Sequence, residues 1–555
     1  MAVETSAPVS TAGGSLKPTL GLTGITINAM ALIAPGAFLW TTFQGQSAYG
    51  ATSMWASVAV ATIVALLTAV CYATLSKKYP QGGAGSSYFY AEAAFLEKES
   101  HSHFKLARIA KLIIGCAAHL YYWVYPGVMV AFMGTILTFI VQLFKPTFGD
   151  STHLWQPVAL CVIFAAITGA IAYRGVSGST MANVVINVIQ ILALLTFTIL
   201  AIVYRSRHPE VSYIHPSGLS VISPHGLSQL IFQSTIAILL VVGFESATAL
   251  AAEAKNPQKD IPRGVLLSLI IQAVIFYSFE YFGANYFIGQ NYAGILDKAG
   301  ANFSVIDPKI TSITDHAIDQ TAYAGGSIVR GFDAAAASSA PIGDFSKIIG
   351  DSLLHGHGLQ FEIIMAATVV LALVGTALSC LATGVRVSYA MGKDDELPGP
   401  FGSLHGKHNT PHNAIIMLTV ISAIIGGYGV LNSDNLLKVA IISNLGTFLL
   451  YGMTCLATYI AFSHVKGAGI FTTKLAPILG MFLNFGLMVG DIYFAFFAPS
   501  ATMASKYDAK VALIFSASFM MLSFLYLAVR SGIRKEPMFL SHDHKEMQVK
   551  TVSMR

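Results

Sequence analysis

An all-α polytopic membrane protein with twelve transmembrane helices is the fold class this sequence predicts, and three observations predict it. Charge is scarce, apolar runs long enough to cross a bilayer recur from end to end, and the cations between those runs sort to one side. Of 555 residues, 54% are hydrophobic and 11% charged, and the mean hydropathy is +0.65. A soluble globular chain carries roughly 25% charged residues, so the solvent for this chain is lipid. The net charge of +5 does not call for a nucleic-acid partner, because no Lys/Arg run has the density of a nucleic-acid patch. Cys71, Cys116, Cys161, Cys380 and Cys455 all fall in apolar stretches without a CxxC pair, and they read as small packing residues.

Crossing a hydrocarbon layer takes about 20 helical residues. Runs of that kind lie at 22–43, 52–74, 112–139, 157–173, 181–204, 227–252, 265–288, 361–391, 414–430, 437–462, 475–497 and 511–529. An even count puts both ends of the chain on one side, and an excess of Lys and Arg marks the cytoplasmic side. Placing the tails 1–21 and 531–555 in the cytoplasm leaves 22 of the 32 Lys and Arg inside, so the expected location is the plasma membrane with both termini cytoplasmic. Residues 1–21 lack the apolar core of a cleavable signal peptide. The long polar insertion 289–360 then lies outside, and its Gly, Ala, Ser and Asp content reads as a lid or decoration rather than a separate folded domain.

Gly and Pro interrupt two of the runs at corresponding places. In the first, Ile33, Ala34, Pro35, Gly36 and Ala37 combine a residue that cannot donate a hydrogen bond with a helix-weakening glycine. In the sixth, Val242, Gly243, Phe244 and Glu245 place an ionisable group after a glycine. If both helices break, the freed N–H groups and positive dipole ends hold a carboxylate and the freed carbonyls hold an ammonium group. A zwitterionic amino acid offers both charges. Packing kinks account for the pair equally well, since Gly and Pro are frequent in membrane helices.

The stretch GFESATALAAEAKNPQKDIPRGV, Gly243 to Val265, resembles the sixth-helix and loop signature of the amino acid, polyamine and organocation (APC) transporter superfamily. SKKYPQGGAGSSYFYAEAAF, Ser76 to Phe95, resembles its loop after the second helix, and YAMGKDDELP, Tyr389 to Pro398, its loop after the eighth. The resemblance implies a LeuT-like fold with two inverted repeats, helices one to five over 22–204 and six to ten over 205–462, plus two peripheral helices within 463–530. It places one end of the substrate at Ile33 to Ala37 and the other at Leu239 to Glu245. Two departures stand out: Leu239 lies where some relatives carry an aromatic gate, and the two-glycine motif of the first helix is here Ala34, Pro35, Gly36.

Several proton-coupled relatives carry a lysine in the fifth helix, where this sequence has Gln190. A neutral amide does not replace a cation, which leaves H⁺ or Na⁺ as the coupling ion, or none in an exchanger. For Na⁺, Thr376, Ser379 and Thr383 of the eighth run supply oxygens, against the alternative that they bond back to their own helical turn. No resident metal or other cofactor is expected.

Charges inside the membrane are costly and mark function by default. Glu245 reads as a latch beside freed amides or as a proton acceptor, Glu280 as a wetted outer residue, and Asp491 as a structural or dimer contact. Tyr121, Tyr122 and Cys380 are candidates to line the pathway. The tyrosines, with Trp123 and Tyr125, equally suit a core or an interfacial belt. The pairs His101 and His103, His355 and His357, and His542 and His544 read as solvated loop or tail residues. Asp260 is expected to cap the next helix, with Pro262 in its first turn.

The sequence therefore predicts a secondary transporter of an amino acid, working as a monomer or homodimer in a lipid bilayer, and not an enzyme, because the spans hold no nucleophile, metal or acid–base constellation. Two alternatives stay open: a carrier or exchanger of polyamines or amino-acid-derived amines, and a transporter-like sensor that binds without translocating.

Overall fold

In lipid a backbone amide has no water to bond, so each crossing segment must satisfy itself as a helix. The computed structural model describes residues 20–33, 35–48, 54–80, 86–99, 106–150, 152–175, 180–210, 227–285, 289, 292–298, 303–314, 321, 323–394, 396–406, 408, 410–463, 465, 469–497 and 503–534. Among these, ten helices are long and apolar enough to cross a membrane. A bent pair, Gln229–Leu240 and Phe244–Ala251, turns by 42° at its break and adds an eleventh. The remaining apolar run forms two short helices, Leu22–Ile33 and Pro35–Ala48, on either side of residue 34. The chain is thus a mostly helical integral membrane protein.

Counting that short pair as the first span for numbering, the second to fifth in chain order are Met54–Lys78, Ala107–Gln142, Trp155–Tyr173 and Thr180–Arg207. The sixth is the bent pair, and the seventh continues Pro257–Ser278 into a π-helical turn, Phe279–Asn285. The eighth to tenth are Gly358–Lys393, His412–Gly429 and Ser433–Phe462. The eleventh and twelfth are Phe471–Phe496 and Met503–Arg534.

Most helices outrun the apolar runs that announced them. Lys77, Lys78, Arg207 and Lys393 lie inside helical ends, because a long basic side chain carries its charge out to the interface while its stem stays apolar; Arg205, also in a helical end, is buried and has a partner. The third span is two helices, Ala107–Tyr122 and Tyr125–Gln142, with Pro126 in the first turn of the second. The seventh begins at Pro257, so Asp260 sits within its first turn and Pro262 inside the helix. That corrects the expected cap: Asn256 is the residue before the helix, and Pro257 already fits the N-terminal turn, where no N–H is needed.

Helix pairings repeat with an offset of five. The first span packs on the sixth, the second on the seventh, the third on the eighth and the fourth on the ninth. Cross pairings also come in matched sets, second on sixth with seventh on first, third on tenth with eighth on fifth, and third on ninth with eighth on fourth. The tenth span is almost wholly buried, whereas the twelfth is exposed along most of its length.

The described parts of the insertion hold more regular structure than their composition announced. Ala293–Leu296 is the centre of a three-stranded antiparallel sheet, flanked by Phe303–Val305 and Ser327–Arg330. Helices Phe332–Ala337 and Pro341–Leu353 follow and pack on Pro35–Ala48. Phe345 meets Phe43 edge-on at 5.9 Å. The half-buried Asp344 carboxylate ties the insertion together, accepting from Tyr292 Oη and Ser338 Oγ at 2.6 Å each. Burial pushes the Asp344 carboxyl up to about 6.

Candidate functional site

Gly243 is where the sixth span breaks, at φ +117°, a left-handed conformation that L side chains rarely adopt. It also lies tight against the first span: a Cβ there would stand 2.9 Å from Leu32 Cγ and 3.0 Å from the Ile33 nitrogen. In a continuous helix the Gly243 N–H would serve the Leu239 carbonyl. Here it donates to Glu245 Oε2 at 3.0 Å. The Ser246 N–H likewise donates to the Gly243 carbonyl at 3.1 Å instead of serving Val242. The carbonyls of Leu239 and Val242 thereby lose their ordinary helical donors. Glu245 is buried and also accepts from Tyr122 Oη of the third span at 2.7 Å and Tyr451 Oη of the tenth at 2.6 Å.

The break in the first span is held by its neighbours. Pro35 has no N–H to offer the Ala31 carbonyl, and Thr376 Oγ1 of the eighth span donates to that carbonyl at 3.0 Å while also bonding Ala372 O at 2.9 Å. Gln272 of the seventh span reaches the Met30 carbonyl at 3.4 Å, and Asn187 of the fifth reaches the Ile27 carbonyl at 3.3 Å. Gln272 and Asn187 are themselves joined at 3.3 Å. On the far side of the break Gly36 faces Gln190, whose Cγ and Nε2 would be 3.3 Å from a Cβ at that position. The two breaks thus lie side by side in mid-bundle, each with displaced backbone polarity.

Both ends of the bundle are closed around them. At the end carrying the N-terminal tail, Leu20 N donates to Glu253 O at 2.9 Å and Lys255 N to Leu20 O at 2.8 Å, joining the tips of the first and sixth spans. Arg386 pairs with Glu253 at 3.1 Å, and Ser86 meets Thr248 at 2.5 Å. At the insertion end Gln233 Nε2 donates to Gln46 O at 2.7 Å, Trp40 lies 5.6 Å from Phe139, and Gln44 reaches Ala336 O at 3.3 Å.

Two adjacent helix breaks inside a helical bundle narrow the family, and comparison with known sequences decides it. Residues 24–538 match the amino acid permease family. The chain belongs to that family, within the APC superfamily. Among its relatives, a branched-chain amino acid permease of Bacillus subtilis (strain 168) is 24% identical over 456 residues, covering 79% of this chain and 80% of the relative. A methylthioribose transporter of the same organism is 24% identical over 510 residues, covering 88% and 90%. The cationic amino acid transporter 9 of Arabidopsis thaliana is 26% identical over 275 residues, covering 47% and 44%.

For this permease, the residues singled out from sequence separate into groups. Ile33, Gly36, Leu239, Val242, Gly243, Phe244 and Glu245 are buried at the two breaks. Pro35 and Ala37 lie in the helix just past the first break, and Ala34 lies outside the described residues. Tyr121 and Tyr122 are buried, their ring centroids 4.3 Å apart and planes tilted by 39°, and Tyr121 and Cys380 stand close to Glu245. This burial puts these tyrosines in the bundle's interior rather than in an interfacial belt. Thr383 Oγ1 bonds back to Ser379 O at 2.9 Å, and Ser379 is half-buried. Glu280 has no exposed surface, so in this closed arrangement it is not wetted as expected. Asp491 is equally buried, beside Thr235 of the sixth span. Sequence reasoning passed over Asn187, Gln272 and Tyr451. The two amides did carry a signal, being hydrogen-bonding groups inside apolar runs, whereas Tyr451 carried none beyond its aromatic character.

Proposed function

We propose that this permease moves a small zwitterionic amino acid by alternating access, holding it between the broken first and sixth spans. The observation that carries the reading is the pair of adjacent breaks, Gly243 against Leu32 and Ile33, with the Leu239 and Val242 carbonyls deprived of helical donors. Freed carbonyls suit an ammonium group and a half-helix N-terminus suits a carboxylate. Leu239, Val242, Phe244 and Cys380 around them favour an uncharged, apolar side chain on the substrate. The offset-of-five pairing supports a 5+5 inverted repeat, because helices five apart cross the membrane in opposite directions. The arrangement is then an occluded one, with the tail end facing the cytoplasm of the plasma membrane.

Glu245 weighs against the amine alternative. Its carboxylate already accepts from three donors, so a multiply charged cation would have to displace them in a dry site. For the coupling ion, Thr376 and the Ala31 carbonyl are two oxygens that face each other at the first break, and in the Na⁺ reading both turn to the metal. The sensor alternative differs in outcome rather than in site.

Counterflow of labelled amino acids into proteoliposomes tests the proposal, with a polyamine and methylthioribose in the same panel. Saturable exchange of at least one amino acid is expected. Exchange of only the other solutes would reassign the substrate, and binding without exchange would make the protein a sensor.

A further inference from the structure

The seventh span carries a second buried carboxylate that the proposed cradle does not use. Glu280 has no exposed surface, and neither of its carboxylate oxygens has a hydrogen-bond partner among the described residues. It lies in the π-helical turn Phe279–Asn285, and such turns within helices recur at functional positions. Beside it stands the side-chain amide of Gln46 from the insertion-end half of the first span. Gln46 is itself fully buried, and both its amide atoms lack partners among the described residues.

Among the described residues the surroundings supply no compensating charge. Tyr277 is the titratable neighbour on the same helix, one turn before, and Tyr281 is next in sequence. The fifth span packs against the π-helical turn, with Phe197 and Thr198 facing Gly283. Arg205, the charged residue of that stretch, lies about two turns further along and has a partner of its own. No salt bridge among the described residues reaches Glu280.

The place of Glu280 ties it to gating. Two turns earlier on the same helix, Gln272 holds the Met30 carbonyl of the tail-end half of the first span. Gln46, beside Glu280, belongs to the other half, and its carbonyl accepts from Gln233 of the sixth span at 2.7 Å. The seventh span therefore touches both halves of the broken first span, and Glu280 faces the half that closes the insertion end.

An ionised carboxylate without donors in a dry site is costly enough that the group takes a proton instead. Closing the insertion end as seen here requires the neutral acid, and opening it admits water and lets the carboxylate form. We propose that Glu280 is a proton-binding site: the carboxylate takes one proton from solvent as the insertion end closes and returns it as that end opens. This proposal rests on the transport reading of the same molecule.

The test is amino acid counterflow by the full chain in proteoliposomes at matched internal and external pH, from 5 to 9. The wild-type rate should titrate across this range. Glu280→Gln, which fixes a neutral side chain, should flatten the profile while exchange continues, and Glu280→Asp should restore a titration. Gln46→Leu should move the midpoint to higher pH, because it replaces the polar group beside the carboxylate with an apolar side chain. A wild-type pH profile in Glu280→Gln would overturn the proposal, as would a requirement for Na⁺ at fixed pH that Glu280→Gln removes, which would assign a metal ion there. If Glu280→Gln is inactive, Gln46→Leu decides, and an unmoved midpoint sinks the proton site. Failure of the wild type to exchange any amino acid would instead defeat the transport reading itself.

Discussion

The two breaks solve one problem in opposite ways. A helix interrupted in lipid leaves carbonyls and amides that must find partners. The sixth span largely provides its own, folding Glu245 back onto the Gly243 N–H and anchoring that carboxylate to Tyr122 and Tyr451. The first span borrows instead: with Pro35 unable to serve Ala31, Thr376 and Gln272 on two other helices reach the Ala31 and Met30 carbonyls, while Asn187 adds a second donor to Ile27, a turn inside the helix. A break that carries its own partner can move as a unit, whereas a borrowed set of bonds must be broken and remade when the helix swings. In the alternating-access reading the first span is the part whose motion is felt by the fifth, seventh and eighth, and the sixth is the stiffer wall.

Removing the partner at the self-held break should have the largest effect. Glu245→Ala leaves two tyrosine hydroxyls and one amide without an acceptor, each worth about 1–3 kcal/mol when buried. Counterflow should fall by about 100-fold or more, with a lowered melting temperature in detergent. Tyr122→Phe or Tyr451→Phe removes a single donor and should cost about 1 kcal/mol. If the single tyrosine variants lose as much as Glu245→Ala, the carboxylate is not the hub.

Gly243→Ala comes next. It sets a side chain at φ +117° and drives a Cβ to 2.9–3.0 Å from Leu32 and Ile33, a strain of about 1–3 kcal/mol. Exchange should slow and the melting temperature drop. Wild-type behaviour in both would mean that the two breaks are not in contact.

At the borrowed break the effects should be smaller and spread out. Thr376→Val deletes the borrowed donor of the Ala31 carbonyl, at about 1 kcal/mol, and Thr376→Ser should recover most of it. Ligand binding measured with and without Na⁺ in Thr376→Val sharpens the contrast. An altered Na⁺ dependence would make the threonine a metal ligand, and an unaltered one leaves it a cap on Ala31.

The smallest effect lies outside both breaks, in the insertion. The Asp344 carboxyl is raised from 3.8 to about 6 by burial, so the folded insertion binds that proton more tightly than the unfolded chain does. Its contribution is fully present below about pH 4, falls as pH rises towards about 6, and is lost above. Amide exchange in 341–353, corrected for its intrinsic pH dependence, should report this loosening, and Asp344→Asn should remove it. Loosening over the same window in the Asp344→Asn variant would place the titration elsewhere.

How much of this was legible depended on how local the physics was. Pro35 and Gly243 announced the breaks because backbone geometry is written in single residues. The spans announced themselves through their length, although their ends did not, since the hydropathy of Lys78 or Lys393 hides the apolar stem. What the breaks bond to was not legible. Glu245 joins residues 123 and 206 positions away, and no local pattern encodes that. The short strands of the insertion are equally silent, because strands of three or four residues fall below any periodicity signal. The placement of Asp260 and Pro262 failed for another reason: both suit a first turn, and Pro257 had already begun the helix.

The central claim is that the tips of the first and sixth spans must part for a solute to pass. Leu20 and Ala254 are bridge partners at the tail end, close enough for a disulfide between Leu20→Cys and Ala254→Cys. Counterflow by this double variant is predicted to stop under oxidant, with ligand binding preserved, and to return on reduction. Exchange that continues undiminished once the crosslink is verified by mass would contradict the account.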